Sequence, residues 1–591
     1  MTGRARFDFS TLLTGTGVFL AAAICALAAY RKYVAAAQFS PQTMEWTQAA
    51  RYLAQSGRWG TQVVRPLLTG LVTPNADGSI PDLAHAPLGL GLEAFTLRVL
   101  KQTGAGQGVE ATAMLGAGLW TVGVLLGFAL FRAIFGTRGA ILAALLCAFG
   151  GATLTTALAL PVVPLAAVLL TTLFFALYRL DALPQAGQEA HSASPLWAAV
   201  AGIAYGLLFL AQYSALVLCP VLLWHIGRVS DANKRRRLLP AMLFGVSALL
   251  VASPFVLRTY RLTHNPLTNT RLWEAVMHTP TFPGFGLYRQ ANLPQTLSQY
   301  LANGGVEEIA RKTTENIGGL VSQTVPTLGM FVALLFLGAA LVRFPDAAVN
   351  RWRNLVYLCL ALHLVGASVF LQPDEAAQIT LAYVPTASAI GTAFLLAVVA
   401  ARNLPRFYAR AAVWGWGVVG ILPGATRLWA KAPAPAAPWA AYSYLNGGTP
   451  DVAQARRAGL LLVCDMPEET AYRCGTPALW LPDDGGVIQT VEDRMKRPVV
   501  AALLTPDLPV RYANDTDTQA WRTTRDRILS LTQIVAGLKN RRLRQDVIQN
   551  TGLFYPTALQ SLGEFRPSPL IERDDQYTLL FWNARVVSAA R

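Results

Sequence analysis

The feature that most constrains this chain is a series of apolar runs, each close to the ~20 residues a helix needs to cross a bilayer. Eleven can be marked, at 11–30, 108–135, 139–158, 162–180, 195–213, 215–227, 238–257, 326–342, 355–372, 380–400 and 412–429. The 591 residues are 53% hydrophobic and only 14% charged, too apolar for an ordinary soluble protein. The expected fold is a polytopic α-helical membrane protein with about eleven transmembrane helices.

Charge placement sets the orientation. With the N-terminus in the cytoplasm, alternate connections carry Arg132 and Arg138, Arg179, Lys234 to Arg237, Arg343 with Arg351 and Arg353, and Arg402 with Arg406 and Arg410. These are the short basic loops that the positive-inside rule keeps in the cytoplasm. The net charge of +16 therefore reports topology, and no separate basic domain points to nucleic acid. Arg4 and Arg6 precede the first run and three alanines follow at 35–37, as in a cleaved signal. Arg31 and Lys32 intervene and the run is long, so a retained first helix is expected.

An odd number of spans sends the C-terminal region to the outer face. Three polar stretches then share that face: outer loops at about 31–107 and 258–325, and everything after the last span. Residues 1–429 form the expected membrane unit and 430–450 a linker holding the stiff segment APAPAAP. Residues 451–591 are expected to form a small C-terminal extracytoplasmic α/β domain, with strands at 460–465, 478–481 and 499–504 and helices at 486–497 and 520–538. Cys25, Cys147, Cys219 and Cys359 fall inside apolar runs and read as small hydrophobes. Cys464 and Cys474 read either as a disulfide or as two thiols. No cysteine spacing suggests a metal, and Asp483-Asp484 reads as a turn.

The segment QTMEWTQAARYL, residues 42–53, follows the first span. Trp46, Ala49, Ala50 and Leu53 recur at helical spacing, which predicts an amphipathic helix lying on the membrane surface. The stretch 87–100 is apolar but short, and reads as interfacial or re-entrant. Sugar transfer from a lipid phosphate needs a carboxylate to activate the acceptor, cations for the departing phosphate and an apolar groove for the tail. Glu45 is the sole carboxylate on the 42–53 helix. Gln42 can orient a hydroxyl but cannot take its proton.

Four segments resemble the GT-C glycosyltransferases, specifically the protein-mannosyltransferase and aminoarabinose-transferase-like branch with an RgtA-type domain. QTMEWTQAARYLAQSGRW is similar to the first outer-loop helix, with its acidic pair and Ala-Arg-x-Leu. His85-Ala86-Pro87-Leu88 is similar to a Pro-Pro-Leu segment. ASPFVLRTYRLTHNPL, at 252–267, is similar to a membrane helix running into Pro-x-x-x-Arg-Asn. QITLAYVPTASAIGTAFL, at 378–395, is similar to a late helix beginning Arg-Tyr. The tail VCDMPEETAYRCGTPALWLPDD looks like the outer-face domains of bacterial members.

The resemblance implies transfer of one sugar, with inversion, from a polyprenyl-phosphate donor to a lipid or glycan acceptor of the cell envelope. It implies a multi-pass protein of the cell inner membrane with a periplasmic C-terminal domain. No cofactor is implied, and metal dependence is left open. Glu45 and Gln42 are the expected catalytic positions. Arg51, Arg58, His85, Arg258, Arg261, Asp374 and Glu375 are the expected substrate-binding positions. Arg258 and Arg261 read equally as headgroup anchors, His85 as a turn residue, and Asp374-Glu375 as a helix cap. The chain departs from the family pattern where Gln42 replaces the leading acid, where Val162-Val163-Pro164 carries no second acid, and where Gln378 stands for the late arginine. Those departures keep a second reading alive, a GT-C-fold protein that binds a lipid-linked glycan or scaffolds an envelope complex without catalysis. A transporter is disfavoured because the apolar runs hold few ionisable residues.

Overall fold

The computed structural model describes residues 9–36, 40–149, 151–182, 194–229, 238–266, 268–293, 296–371, 378–430, 442, 445–446, 461–482, 485–505, 565–567, 571–573 and 576–583. The expected helix at 520–538, the 432–438 linker, Asp374, Glu375 and Asp483-Asp484 lie outside them.

The helices are α1 (Phe9–Ala36), α2 (Pro41–Ser56), α3 (Pro87–Val99), α4 (Val109–Ala148), α5 (Gly151–Ala159), α6 (Val162–Ala182), α7 (Ser194–Ala211) and α8 (Cys219–Val229). They continue with α9 (Leu238–Thr263), α10 (Val306–Leu328), α11 (Met330–Gly338), α12 (Ala347–Phe370), α13 (Val384–Ala401), α14 (Arg406–Trp429), α15 (Pro467–Cys474) and α16 (Gly485–Met495). Among the described residues six helices are long and apolar enough to cross a bilayer: α1, α4, α6, α9, α12 and α13. A seventh comes from the segments 297–328 and 330–341 if that pair, bent by 106°, is one span. Gly136, at φ 73°, breaks α4 between Arg132 and Arg138, so its two halves run in different directions.

Membrane helices in this bundle turn small residues inward and large ones outward. On α1, Val18, Ala22, Cys25, Ala26 and Ala29 are buried against α4, whereas Leu13, Leu20, Ile24 and Leu27 are exposed. Lipid tails are as apolar as leucine, so association depends on close packing by small side chains. The α7–α9 contact carries this furthest. A Cβ on Gly202 would lie 2.3 Å from the Phe244 carbonyl oxygen.

The outer parts are woven together. β1 (Gly60–Thr61) pairs antiparallel with β3 (Ile80–Pro81). β2 (Val63–Val64), from the first outer loop, joins the C-terminal strands β4 (Leu461–Cys464), β5 (Ala478–Trp480), β6 (Val499–Leu504), β7 (Phe565–Pro567), β8 (Ile571–Arg573) and β9 (Gln576–Asn583). The order is β2-β5-β4-β6-β9-β7, with β8 on β9. β2, β5, β4 and β6 are mutually parallel, and β9 runs antiparallel to β6. Residues of β4, β5 and β6 up to Leu503 are buried, the continuous apolar reading of strands covered on both faces. Cys464 and Cys474 are both buried, and no disulfide joins them.

Helix α2 does not lie on a surface as its periodicity suggested. Thr43 through Tyr52 are all buried. The amphipathic pattern was read with one neighbour in mind, but α3, β1 and α15 pack around this helix. Ser40 caps it, its hydroxyl accepting from the Thr43 N–H at 3.1 Å, and Gly57 closes it at φ 70°.

Candidate functional site

Arg51 does structural work on α2. Its guanidinium donates to the carbonyls of Tyr472 at 2.8 Å, Ala471 at 3.0 Å and Gly104 at 3.1 Å. Ala471 and Tyr472 end α15, where helix carbonyls lack intrahelical partners and the dipole is negative. Burial lowers the Arg51 pKa to about 10, and stacking on Tyr472 at 5.5 Å adds a cation–π contact. Arg58, one turn beyond, is exposed.

The next turn of α2 carries the charged centre. Glu45 Oε1 accepts from Arg65 Nη2 at 2.7 Å. The same oxygen is 3.8 Å from His85 Nε2. His85 Nδ1 is 2.8 Å from Asp82 Oδ2, and Asp82 Oδ1 accepts from the N–H groups of Ala84 at 2.8 Å and His85 at 3.1 Å. Asp82 thus forms an Asx-type turn that sets the His85 ring. Arg65 lies 4.9 Å from the Tyr288 ring and 5.7 Å from that of Trp480 on β5.

Burial alone would raise the Glu45 carboxyl. Arg65 and then His85 outweigh it and hold Glu45 below the usual carboxylate range. Burial would likewise raise Asp82, but His85 keeps it lowered. Burial opposes the charged His85, but Asp82 and then Glu45 outweigh it and raise its pKa above the ordinary value. Two carboxylates, Arg65 and His85 are thus packed together in a largely buried site.

The loop carrying Asp82 and His85 is pinned from the membrane side. Arg258, at the end of α9, donates to the carbonyls of Asp82 at 3.1 Å and Trp59 at 3.0 Å. The Tyr213 hydroxyl donates to the His85 carbonyl at 3.2 Å. Arg261 is exposed, one turn further along α9.

Beside this centre is a cavity of about 360 Å³. Gln42 and Trp46 of α2 form one wall, with Leu83, Ala84 and Ala86 next to them. Phe209, Phe255, Leu272 and Phe370 make other walls apolar. Arg271 is the one charged side chain among the described lining residues. Gln42 Oε1 accepts from Gln378 Nε2 at 3.4 Å, and both glutamines line the cavity. The Glu45 and His85 side chains sit behind the wall that Trp46, Ala84 and Ala86 form.

Glu45, Gln42, His85, Gln378 and, through its carbonyl contacts, Arg258 are therefore gathered in one region, whereas Arg51 faces helix α15. Sequence reading missed Arg65, Asp82, Arg271, Tyr288 and Trp480. The pattern Asp82-x-x-His85 ahead of a helix-starting proline was a readable turn signal. A lone arginine between Val63-Val64 and Pro66-Leu67 was a readable sign of a buried, paired charge.

The chain matches no protein-family model and no curated protein. Solved structures do match. The oligosaccharyltransferase AglB from Archaeoglobus fulgidus, in complex with an inhibitory peptide and a dolichol-phosphate, is similar at TM-score 0.56 and 13% identity, over 86% of this chain and 70% of its own. ArnT from Cupriavidus metallidurans, bound to undecaprenyl phosphate, is similar at TM-score 0.52 and 13% identity, over 96% of this chain and 98% of its own. The chain thus has the GT-C fold found in these membrane glycosyltransferases.

Proposed function

We infer that this protein is an inner-membrane glycosyltransferase that moves a sugar from a polyprenyl-phosphate-linked donor to a cell-envelope acceptor at the outer face. One observation carries the reading: an apolar cavity whose one charged lining residue among the described residues is Arg271, beside the helix that bears Glu45. Apolar walls suit an isoprenoid tail, and a guanidinium suits a phosphate. The lipid phosphates in the AglB and ArnT structures support the same ligand class. In the transfer step, Glu45 accepts the proton of the acceptor hydroxyl and Arg271 stabilises the departing phosphate. Gln42 orients the hydroxyl. Arg258 acts through the loop that it pins. Arg261 and Arg58, both exposed, serve as outer contacts for headgroups.

A charge-assisted contact to phosphate contributes about 1.5–3 kcal/mol. Arg271→Ala is therefore expected to weaken binding of undecaprenyl phosphate about ten- to a hundredfold, read by titrating purified protein in detergent. Equal affinity in wild type and variant would remove the phosphate from this cavity.

The proposed topology has about eleven crossings, the N-terminus in the cytoplasm, a membrane unit at 1–429, a linker at 430–450 and a periplasmic α/β domain at 451–591. The basic short connections support it. Alkaline phosphatase fused after Trp429 is expected to be active, and a cytoplasm-dependent reporter at the same position inactive. The opposite pattern would overturn this orientation.

A second reading is binding of a lipid-linked glycan without transfer. Gln42, and no carboxylate among the described residues, lines the cavity, and Glu45 is tied to Arg65. The transfer assay that separates the two readings is argued in the Discussion.

A further inference from the structure

The cavity has a second polar array, away from α2. Ser214, in the 3-10 segment Tyr213–Leu218, lines the cavity. Its Oγ is 2.8 Å from Nε2 of His363 on α12. On the far side of the ring, His363 Nδ1 is 3.1 Å from the Tyr383 hydroxyl. His363 and Tyr383 are fully buried. Gly366, three residues beyond His363, makes the approach possible, because a Cβ there would meet Val217 at 2.8 Å.

Hydrogen-bond accounting fixes the direction of this chain. A neutral imidazole has one donor and one acceptor. If Ser214 donated to Nε2, Nδ1–H would donate to Tyr383 and the Tyr383 hydroxyl hydrogen would have no acceptor. Among the described residues, His363 is the hydrogen-bond partner of Tyr383, and an orphaned donor in the core is costly. A charged imidazole would orphan the same hydrogen and bury an unpaired charge. In the reverse direction every buried donor is used. The Tyr383 O–H donates to Nδ1, and Nε2–H donates to Ser214 Oγ. The Ser214 hydrogen is then the one left over, on the one member of the array that faces the cavity. Each bond polarises the next, so this hydroxyl is a better donor than an isolated serine.

We propose that Ser214 is a ligand-contacting residue, a hydroxyl donor that this largely apolar cavity offers to an oxygen of its occupant, with His363 and Tyr383 as positioning residues. The acceptor class is a sugar oxygen or a phosphoryl oxygen of a lipid-linked sugar, which rests on the functional reading above.

The test uses the full chain in detergent with two probes, undecaprenyl phosphate and undecaprenyl-phosphate-linked glucose. Ser214→Ala is expected to weaken at least one of them about three- to tenfold, with Ser214→Thr, which keeps the hydroxyl, restoring affinity. Weakening of both places the acceptor on the phosphate; weakening of the glycosylated lipid alone places it on the sugar. Unchanged affinity for both, alongside weakened binding by Arg271→Ala, overturns this inference and leaves the cavity reading standing. Failure of wild type to bind either lipid overturns both. A second readout is independent of ligand. Nitrogen NMR of labelled imidazoles, assigned through His363→Asn, is expected to show His363 protonated at Nε2. Protonation at Nδ1 in the wild type overturns the proposal.

Discussion

Arg65→Met is expected to destabilise the outer part of this protein by about 3–5 kcal/mol, because it leaves the Glu45 carboxylate buried without its partner. Arg65 and Glu45 are 93% and 88% removed from solvent at their side chains and share a 2.7 Å contact. Losing the ring contacts of Tyr288 and Trp480 adds to the cost. The compensating double substitution, Arg65→Met with Glu45→Leu, is expected to recover most of the loss, since a well-packed apolar pair replaces a buried ion pair at little or no cost. Thermal melts in one detergent measure both. A single variant that melts with the wild type would show that Glu45 finds another cation or solvent.

The same experiment has a pH signature. In the wild type the Glu45 pKa lies below its ordinary value of 4.5, so the pair's contribution is present above that value and lost as pH falls through the depressed one. Without Arg65, burial dominates and raises the Glu45 pKa. The variant's deficit is therefore largest while the unpaired carboxyl is ionised and shrinks as the medium is acidified through its raised pKa, where it takes up a proton. A deficit that grew in acid would assign the loss to packing rather than to charge.

Much of the bundle was legible because membrane helices announce themselves by length and apolarity. The runs at 11–30, 162–180, 238–257, 355–372 and 380–400 each fall on a helix long and apolar enough to span. The break between 108–135 and 139–158 was readable from Arg132 and Arg138, and Gly136 turns the chain there. The strands at 461–464, 478–480 and 499–504 were legible as short continuous apolar runs.

What the sequence concealed is contact between distant segments. Nothing local in Val63-Val64 says that this pair extends a sheet whose other strands begin about four hundred residues later. Arg258 was visible as a cation at the outer end of a helix, but its bonds to the Asp82 and Trp59 carbonyls depend on a loop from the far side of the fold. Arg51 read as a substrate-binding position, and its guanidinium donates to carbonyls at the end of α15, a contact that no local pattern announces. Arg65, Asp82 and Arg271 sit on irregular segments, where no periodicity marks which side chain turns inward. Pairing of buried charges was the physical requirement that could have exposed them.

Glu45→Gln is expected to lower sugar transfer about a hundredfold or more, the usual consequence of losing a positioned base. The motivation is placement. Glu45 is one helical turn from Gln42, which lines the cavity, and adjacent to Trp46, which forms the wall. Arg65 and His85 keep it ionised, so it is ready to accept a proton, though its lowered pKa makes it a weak base until the acceptor displaces part of that pairing. Glutamine keeps the shape and the hydrogen bond from Arg65 but cannot take a proton. The assay follows labelled sugar from a panel of polyprenyl-phosphate donors to envelope lipids and glycans, in membranes matched for expression. Wild-type turnover with an unimpaired Glu45→Gln would reject Glu45 and move the search to Asp374 and Glu375, which precede the helix of Gln378. If the wild type shows no turnover with any donor yet binds undecaprenyl phosphate through Arg271, binding without transfer is the better reading. In that case Gln42 is the residue that records the loss, since an amide stands on the cavity face where transfer requires a carboxylate.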